Sequence, residues 1–218
     1  MTLAPNDKKL QIPSAVSQDF SLSIDDKRYL IRIARDAVRA KLEGEAPSHP
    51  EPPSETVLQP AGAFVTLRVS DPRGGEPALR GCIGNVVARQ PLNETVRDAA
   101  VSAAFRDPRF APITLPELET VRFEISVLSP LRRVSSPEEV IPGTHGVMLS
   151  ASGHSGLLLP QVATEQGWDR ETFLTHCCYK AHLAPECWRH PSTEIEVFTA
   201  TVFDESEIVG QSDEGNDT

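Results

Sequence analysis

The stretch Leu79-Arg80-Gly81-Cys82-Ile83-Gly84-Asn85 combines a guanidinium, a thiol and two glycines in one short segment. Gly81 and Gly84 lack a Cβ atom, so their backbone can adopt a positive φ or approach a ligand closely. Arg80 offers a planar fork of donors for a carboxylate or a phosphate, and Cys82 offers a soft nucleophile or metal ligand. The cluster indicates a functional site, although a strand with a small buried cysteine and a bulge at its glycines would contain the same residues.

The residues before this stretch predict the hairpin that holds it. An apolar segment at 63–69 is typical of a strand, a strong turn signal follows at 71–75, and the return strand is expected over 78–87. Arg80 and Cys82 then lie two residues apart on one strand and should face the same side of the sheet. A guanidinium beside the sulphur would favour the thiolate over the thiol.

Helix signals flank this hairpin on both sides. Ser23 is a favourable N-cap for an amphipathic helix over 24–42, and Gly44 is expected to end it. Residues 46–60 contain five prolines and predict a surface loop. A second helix is predicted over 92–105, with small residues that permit close packing on the sheet.

A corner rich in charged and aromatic residues follows the second helix. Asp107 lies close in sequence to Arg106 and Arg109, and Phe105 and Phe110 flank it. Corners of this composition are usually structural, so we expect Asp107 to pair with an arginine or to cap backbone N–H groups. The phenylalanines are expected to fill the core.

The C-terminal half predicts a further set of strands and helices. The alternation at 121–128 is typical of a half-exposed antiparallel strand, which places Glu124 either in solvent or along a cleft. His145 is expected to face inward. The other predicted elements are a helical turn at 137–140, a hairpin of 146–149 and 156–159, a helix from 160 to 165, a last helix capped by Asp169, and a closing strand at 195–203.

Composition narrows the class of protein. The chain has 218 residues, of which 39% are hydrophobic and 24% charged, as in soluble globular proteins. No apolar run reaches the length of a membrane span, and the N-terminus lacks the apolar stretch of a signal peptide, so we expect a cytoplasmic protein. A formal net charge of -10 argues against broad binding to nucleic acid or to anionic membranes.

The four cysteines suggest neither a disulfide framework nor a zinc site. Cys82, Cys177, Cys178 and Cys187 show no Cys-x-x-Cys spacing. We therefore expect reduced thiols in a reducing compartment. A metal role for the last three together with His176 is disfavoured, because the spacing of zinc ligands is missing.

Several segments, in this order, resemble the AMMECR domain family, whose prokaryotic members are called AmmeMemoRadiSam system protein A. They are residues 79–84, 104–110, 124–130 and 156–163, joined by shorter matches such as His145-Gly146, Gly167-Trp168-Asp169 and Lys180-Ala181. The likeness extends over residues 23–203, and Leu-Arg-Gly-Cys-Ile-Gly is highly specific to the family. One departure is His182, where the family usually has glycine.

The resemblance implies an α+β fold in two lobes, built on an antiparallel sheet with flanking helices. It does not imply a particular reaction, because none is established for the family. It does imply one part of a three-component system, whose other parts are a Memo-like protein, similar to extradiol dioxygenases, and a radical-SAM enzyme. The chain has no Cys-x-x-x-Cys-x-x-Cys, so cluster chemistry would belong to the radical-SAM partner. No cofactor is expected in this chain.

Two functions stay open at this stage. In the first, the chain is a component of that system with a pocket for a small anionic molecule at residues 79–84, where Cys82 serves fit rather than chemistry. In the second, the chain is a stand-alone enzyme with Cys82 as nucleophile, Arg80 as anion holder and backbone amides as an oxyanion site. A metal-dependent hydrolase is disfavoured, since no local cluster has ligand spacing.

The candidate site residues follow from these two hypotheses. The catalytic candidate is Cys82; the binding candidates are Arg80, Gly81, Gly84, Glu124, His145 and Lys180, of which the last three are also the possible general bases. The expected organisation is a flexible lead at 1–22, one domain at 23–203 with a Pro-rich loop at 44–60, and an acidic disordered tail at 204–218.

Overall fold

Two antiparallel sheets of four strands each form the framework of the chain, which a computed structural model describes over residues 21–70, 75 and 77–209. The strands are Gly62–Val69 (β1), Ala78–Asn85 (β2), Val121–Leu128 (β3), Arg132–Arg133 (β4), Gly146–Ala151 (β5), His154–Leu158 (β6), Glu194–Phe198 (β7) and Ala200–Asp204 (β8). The first sheet has the order β2-β1-β3-β8 and the second β4-β7-β5-β6. Residues 1–20 of the predicted lead at 1–22 and most of the turn at 71–75 lie outside the described residues.

The helices pack against these sheets and give each sheet its own hydrophobic core. They are Ile24–Glu43 (α1), Leu92–Phe105 (α2), Leu115–Leu118 (α3), Pro160–Gln166 (α4), Arg170–Lys180 (α5) and Glu205–Val209 (α6). In the first lobe, α1 and α2 cover the sheet face that carries Val65, Leu67 and Ile125, all fully buried. In the second lobe, α5 packs on β5 and β6. The α+β class and the two lobes are therefore confirmed.

The first helix begins and ends where its caps predict. Ser23 and Asp26 form a reciprocal capping box, and Gly44 takes the left-handed conformation with φ 75°. The helix over 92–105 and the bounds of the strand over 121–128 are also confirmed, but that strand is buried along most of its length rather than half-exposed. The Pro-rich loop contains one short 3-10 turn, Glu55–Leu58.

The predicted closing strand at 195–203 is wrong as a single element. It is two strands that belong to different sheets: β7 pairs with β4 and β5, whereas β8 pairs with β3. The break falls at Thr199, whose N–H donates to Ser129 Oγ while its carbonyl accepts from the Ser129 N–H. This local exchange of hydrogen bonds redirects the chain from one lobe to the other.

Order extends further towards the C-terminus than the sequence predicts. Asp204 ends β8, and α6 follows directly. Both carboxylate oxygens of Glu205 accept hydrogen bonds from Arg35, at 2.8 Å each. This ion pair ties the start of α6 to α1. Residues 210–218 of the predicted tail lie outside the described residues.

The expectation that all cysteines are reduced is also wrong. Cys178 on α5 forms a disulfide with Cys187, which opens a 3-10 turn, Cys187–Arg189. A 3-10 turn after a loop has no sequence signature that would place its cysteine beside a helix, so spacing alone did not reveal the pair. The bond fixes Trp188 against the second core.

Candidate functional site

Three polar residues lie side by side across the first sheet. In the strand register Cys82 of β2 faces Thr66 of β1, and Thr66 faces Glu124 of β3. The residues that alternate with them point into the helical core, so this row lies on the opposite face of the sheet. Thr66 Oγ1 donates a hydrogen bond to Cys82 Sγ at 3.2 Å. The thiol is half-buried and hydrogen-bonded.

The backbone of Cys82 is held by a corner of the neighbouring loop. Its N–H donates to Asp107 Oδ2 at 2.9 Å. Arg109 donates two hydrogen bonds to the same carboxylate, from Nε at 2.9 Å and from Nη2 at 2.7 Å. Since β2 is the outer strand of its sheet, this carboxylate takes the place of a neighbouring strand at Cys82. The predicted structural role of Asp107 is confirmed.

The Asp107 carboxylate at this corner is ionised as well as buried. Asp107 is only 4% exposed, yet the hydrogen bond from Arg109 holds the pKa of its carboxyl far below the usual range, despite burial. The carboxylate therefore stays ionised and acts as a fixed acceptor. Phe110 lies beneath the two guanidinium groups of Arg80 and Arg109, with centroid distances of 5.9 and 5.5 Å.

Arg80 is directed to a carboxylate of the first lobe. The pairing of β2 with β1 shifts register between Gly81 and Leu79, so Arg80 occupies a bulge. Its Nε donates to Glu117 Oε1 at 3.0 Å, and its Nη1 is buried without a hydrogen-bond partner among the described residues. The bulge interrupts the alternation that would place Arg80 beside Cys82. The pKa of Glu117 is lowered by its hydrogen bond from Arg80.

The cations that interact electrostatically with the Cys82 sulphur include Arg68 and Arg109. Arg68 lies two residues beyond Thr66 on the same strand and face. Its Nε donates to Glu124 Oε2 at 3.0 Å. Glu124 therefore lines the same sheet face as the thiol but is engaged in an ion pair, with its side chain 19% exposed.

The two glycines of the stretch are required by close packing. A Cβ on Gly81 would collide with the carbonyl oxygen of Ala103 on α2, so this glycine lets the helix lie directly on the strand. A Cβ on Gly84 would collide with the carbonyl of Ala63 and the ring of Phe64. Both positions accept glycine alone without a backbone shift.

A cleft of about 400 Å³ separates the end of β2 from the β5–β6 hairpin of the second lobe. The motif meets it at Gly84 and Asn85, whereas Arg80 and Cys82 do not line it. The remaining lining residues are Val86, Val87, Arg89, Gln90, Thr95, Met148, Ser155, Gly156 and Leu157. Sequence reasoning assigns none of these residues to a site, although Gly156 and Leu157 belong to a segment that carries the family resemblance, because the cleft exists only once the two lobes meet.

The other predicted site residues lie in the second lobe. His145 precedes β5, and its Nδ1 accepts a hydrogen bond from the Ile141 N–H at 3.1 Å. Partial burial lowers the pKa of His145, and the charge of Arg132 lowers it further. Lys180 is exposed at the end of α5. Within the described part of the chain, no contact joins either residue to Cys82.

Metal binding finds no support in residues 21–70, 75 and 77–209, where no group of three or more potential ligands comes together. Cys177 is fully buried, and burial raises the pKa of its thiol to about 12. A second cavity, of about 450 Å³, lies wholly in the second lobe beside Trp188 and His190.

Comparison with known proteins then identifies the family. The AMMECR1 family model matches residues 31–203. The chain belongs to the AMMECR1 family. Protein MK0488 of Methanopyrus kandleri is 41% identical over 196 residues, covering 87% of this chain and 93% of that protein. Protein NEQ441 of Nanoarchaeum equitans is 41% identical over 182 residues, covering 81% and 98% respectively.

The fold of this AMMECR1-family chain is shared with a solved structure. The crystal structure of the uncharacterized protein PH0010 from Pyrococcus horikoshii matches with a TM-score of 0.74 at 38% identity. The match covers 81% of this chain and 90% of that one.

None of the helices in the described segments is both long and apolar enough to cross a membrane.

Proposed function

We propose that this chain is the protein A component of a three-part AmmeMemoRadiSam-type system, in which it acts as a binding module for a Memo-like protein and a radical-SAM enzyme. The observation that carries the proposal is the cleft between the lobes, which begins at Gly84 of the family motif. Clefts of this size at the junction of two lobes are a usual place for a ligand site.

The surroundings of Cys82 favour binding over catalysis. A cysteine nucleophile needs a general base within hydrogen-bond reach. Among the described residues, the side chains that hydrogen-bond to Cys82 are the Thr66 hydroxyl at its sulphur, the Asp107 carboxylate at its amide, and the Arg109 guanidinium, whose Nη2 donates to its carbonyl at 3.5 Å. The side chain of Cys82 therefore contributes to the fit of the strand.

The charge of the cleft indicates what its ligand carries. Arg89 is exposed there, and no carboxylate side chain belongs to the lining. Among the described residues no ion pair neutralises Arg89. A ligand with a carboxylate or another anionic group complements this cation.

Co-expression tests this function directly. A tagged form of the chain is produced together with a Memo-like protein and a radical-SAM protein, and both are expected to co-purify with it. Arg89→Glu should lower their recovery about tenfold, because it reverses the charge of the cleft. Arg106→Glu is the matched control, since Arg106 is also exposed and lies outside the cleft. Failure of both proteins to co-purify, or equal recovery with Arg89→Glu, would contradict the proposal.

A second candidate function is a cysteine-dependent enzyme, and one observation favours it. The Thr66 hydroxyl donates a hydrogen bond to the sulphur, and the cations Arg68 and Arg109 interact with it electrostatically. In this account the arginines hold an anionic substrate beside Cys82, which is the candidate nucleophile. The test is the rate of alkylation at neutral pH. A rate no greater than that of free cysteine excludes an activated nucleophile.

A further inference from the structure

The unpaired edges of both sheets line the same cleft. β2 is the outer strand of the first sheet and β6 is the outer strand of the second. Gly84 of β2 forms one wall, and Ser155, Gly156 and Leu157 of β6 form the other. An exposed strand edge presents backbone N–H and C=O groups that pair with any extended segment laid beside it.

On β2 the free backbone groups are those of Gly84. The Cys82 N–H points away from β1, since it donates to Asp107. Gly84 is two residues further along the strand, so its N–H and C=O point the same way. Asp107 and Arg109 cover the edge at Cys82, whereas within the described residues no hydrogen bond involves the outward groups of Gly84.

On β6 the free groups are those of Ser155 and Leu157. Ser152 and Gly153 join β5 to β6 with φ angles of 52° and 79°, which is the two-residue hairpin turn with both φ positive. In such a hairpin the flanking residues exchange hydrogen bonds, and every second pair along the ladder does the same. Gly156 therefore bonds to β5, while the backbone groups of Ser155 and Leu157 point off the sheet into the cleft.

The side chains of the cleft define the occupant. Val87, Met148 and Leu157 offer apolar surface, and Arg89 offers a cation without a counter-ion in the lining. We propose that the cleft binds an extended segment of a partner protein by strand addition, and that this segment alternates apolar side chains with a carboxylate. The inference rests on the binding role proposed above and names its ligand. Backbone pairing supplies affinity in this mode, and the side chains supply specificity.

Synthetic peptides test the inference on the full chain. The probe is a capped hexapeptide that alternates valine with glutamate, compared with one in which lysine replaces glutamate. Two further glutamate peptides carry N-methyl groups on one or the other set of alternate amides. We expect the glutamate peptide to slow hydrogen exchange at the amides of Gly84, Ser155 and Leu157. The lysine peptide should bind about tenfold more weakly. Methylation of either set of amides should also weaken binding, because one set faces β2 and the other faces β6.

Variants assign these effects to the cleft. Arg89→Glu should reverse the preference between glutamate and lysine peptides, whereas Arg106→Glu should leave it unchanged. The inference is overturned if neither unmethylated peptide binds, if either methylated peptide binds like the parent, or if exchange at Gly84, Ser155 and Leu157 does not slow. Partner proteins that co-purify without peptide protection would leave the binding module standing and refute strand addition. Peptide binding without recovery of the partner proteins would refute the proposed binding module and leave strand addition standing.

Discussion

The amide of Cys82 donates to the carboxylate of Asp107 at 2.9 Å, so a residue on a sheet edge is held by a side chain rather than by another strand. Arg109 holds the same carboxylate through two hydrogen bonds. This arrangement fixes the backbone of the family motif and leaves the next outward-facing residue, Gly84, open to the cleft.

Neutralising Asp107 should destabilise the fold. Asp107→Asn keeps the size of the side chain but removes the charge that strengthens its hydrogen bonds to Arg109 and Cys82. We expect the free energy of unfolding to fall by about 2 kcal/mol, as measured in urea. Asp98→Asn, at an exposed position on α2, is the control and should change it by less than about 0.5 kcal/mol. Equal effects of the two substitutions would contradict the structural role of Asp107.

The contribution of Asp107 should depend on pH in one direction. The pKa of its carboxyl is lowered in the folded state, so below about pH 4 the unfolded chain takes up a proton that the folded chain does not. The difference in unfolding free energy between the wild type and Asp107→Asn should stay constant from neutral pH down to about pH 5 and shrink below about pH 4. A difference that grows on acidification would show that the sign is wrong.

Replacing His182 by glycine should stabilise the protein. His182 is exposed and has φ 58°, in the left-handed region that favours glycine. The relief of backbone strain exceeds the entropic cost of glycine, so thermal unfolding should show a gain of up to about 1 kcal/mol. Ala184→Gly, at a nearby exposed residue with an ordinary φ, should destabilise instead. A loss of stability with His182→Gly would contradict the assigned conformation.

Alkylation of the native protein should modify Cys82 alone. Cys178 and Cys187 are joined in a disulfide, and Cys177 is buried with a pKa raised to about 12. Iodoacetamide followed by peptide mass mapping should find one label per chain without reductant, and labels at Cys178 and Cys187 only after reduction. Labelling of Cys187 without reductant would refute the disulfide.

Periodicity predicted the elements whose neighbours lie on one face. The helix over 92–105 and the strand over 121–128 have clear apolar stripes, and both pack on a single core. The alternation at 195–203 predicts a single strand because it is unbroken in sequence. The break at Thr199 is caused by its hydrogen bonds with Ser129, a residue far away in the chain, so local alternation does not indicate it.

The candidate site was predictable in part. The glycines and charged residues of the motif indicate a strand that carries a functional site, and they predict Arg80 beside Cys82. In the structure Arg80 lies at a bulge and binds Glu117 instead. A bulge depends on pairing with β1 and has no reliable sequence signal here. The cleft residues Arg89 and Leu157 come together only through the contact between lobes, which no local pattern encodes.

The central claim is that the motif contributes to partner binding through Gly84, which lines the cleft, and not through Cys82. The affinity of the Cys82→Ser variant for the Memo-like protein tests this claim. Titration calorimetry should give a dissociation constant within about threefold of the wild type, because Cys82 does not line the cleft and serine still accepts the Thr66 hydrogen bond. A loss of affinity of about a hundredfold or more would show that the sulphur itself makes the interaction and would contradict the account.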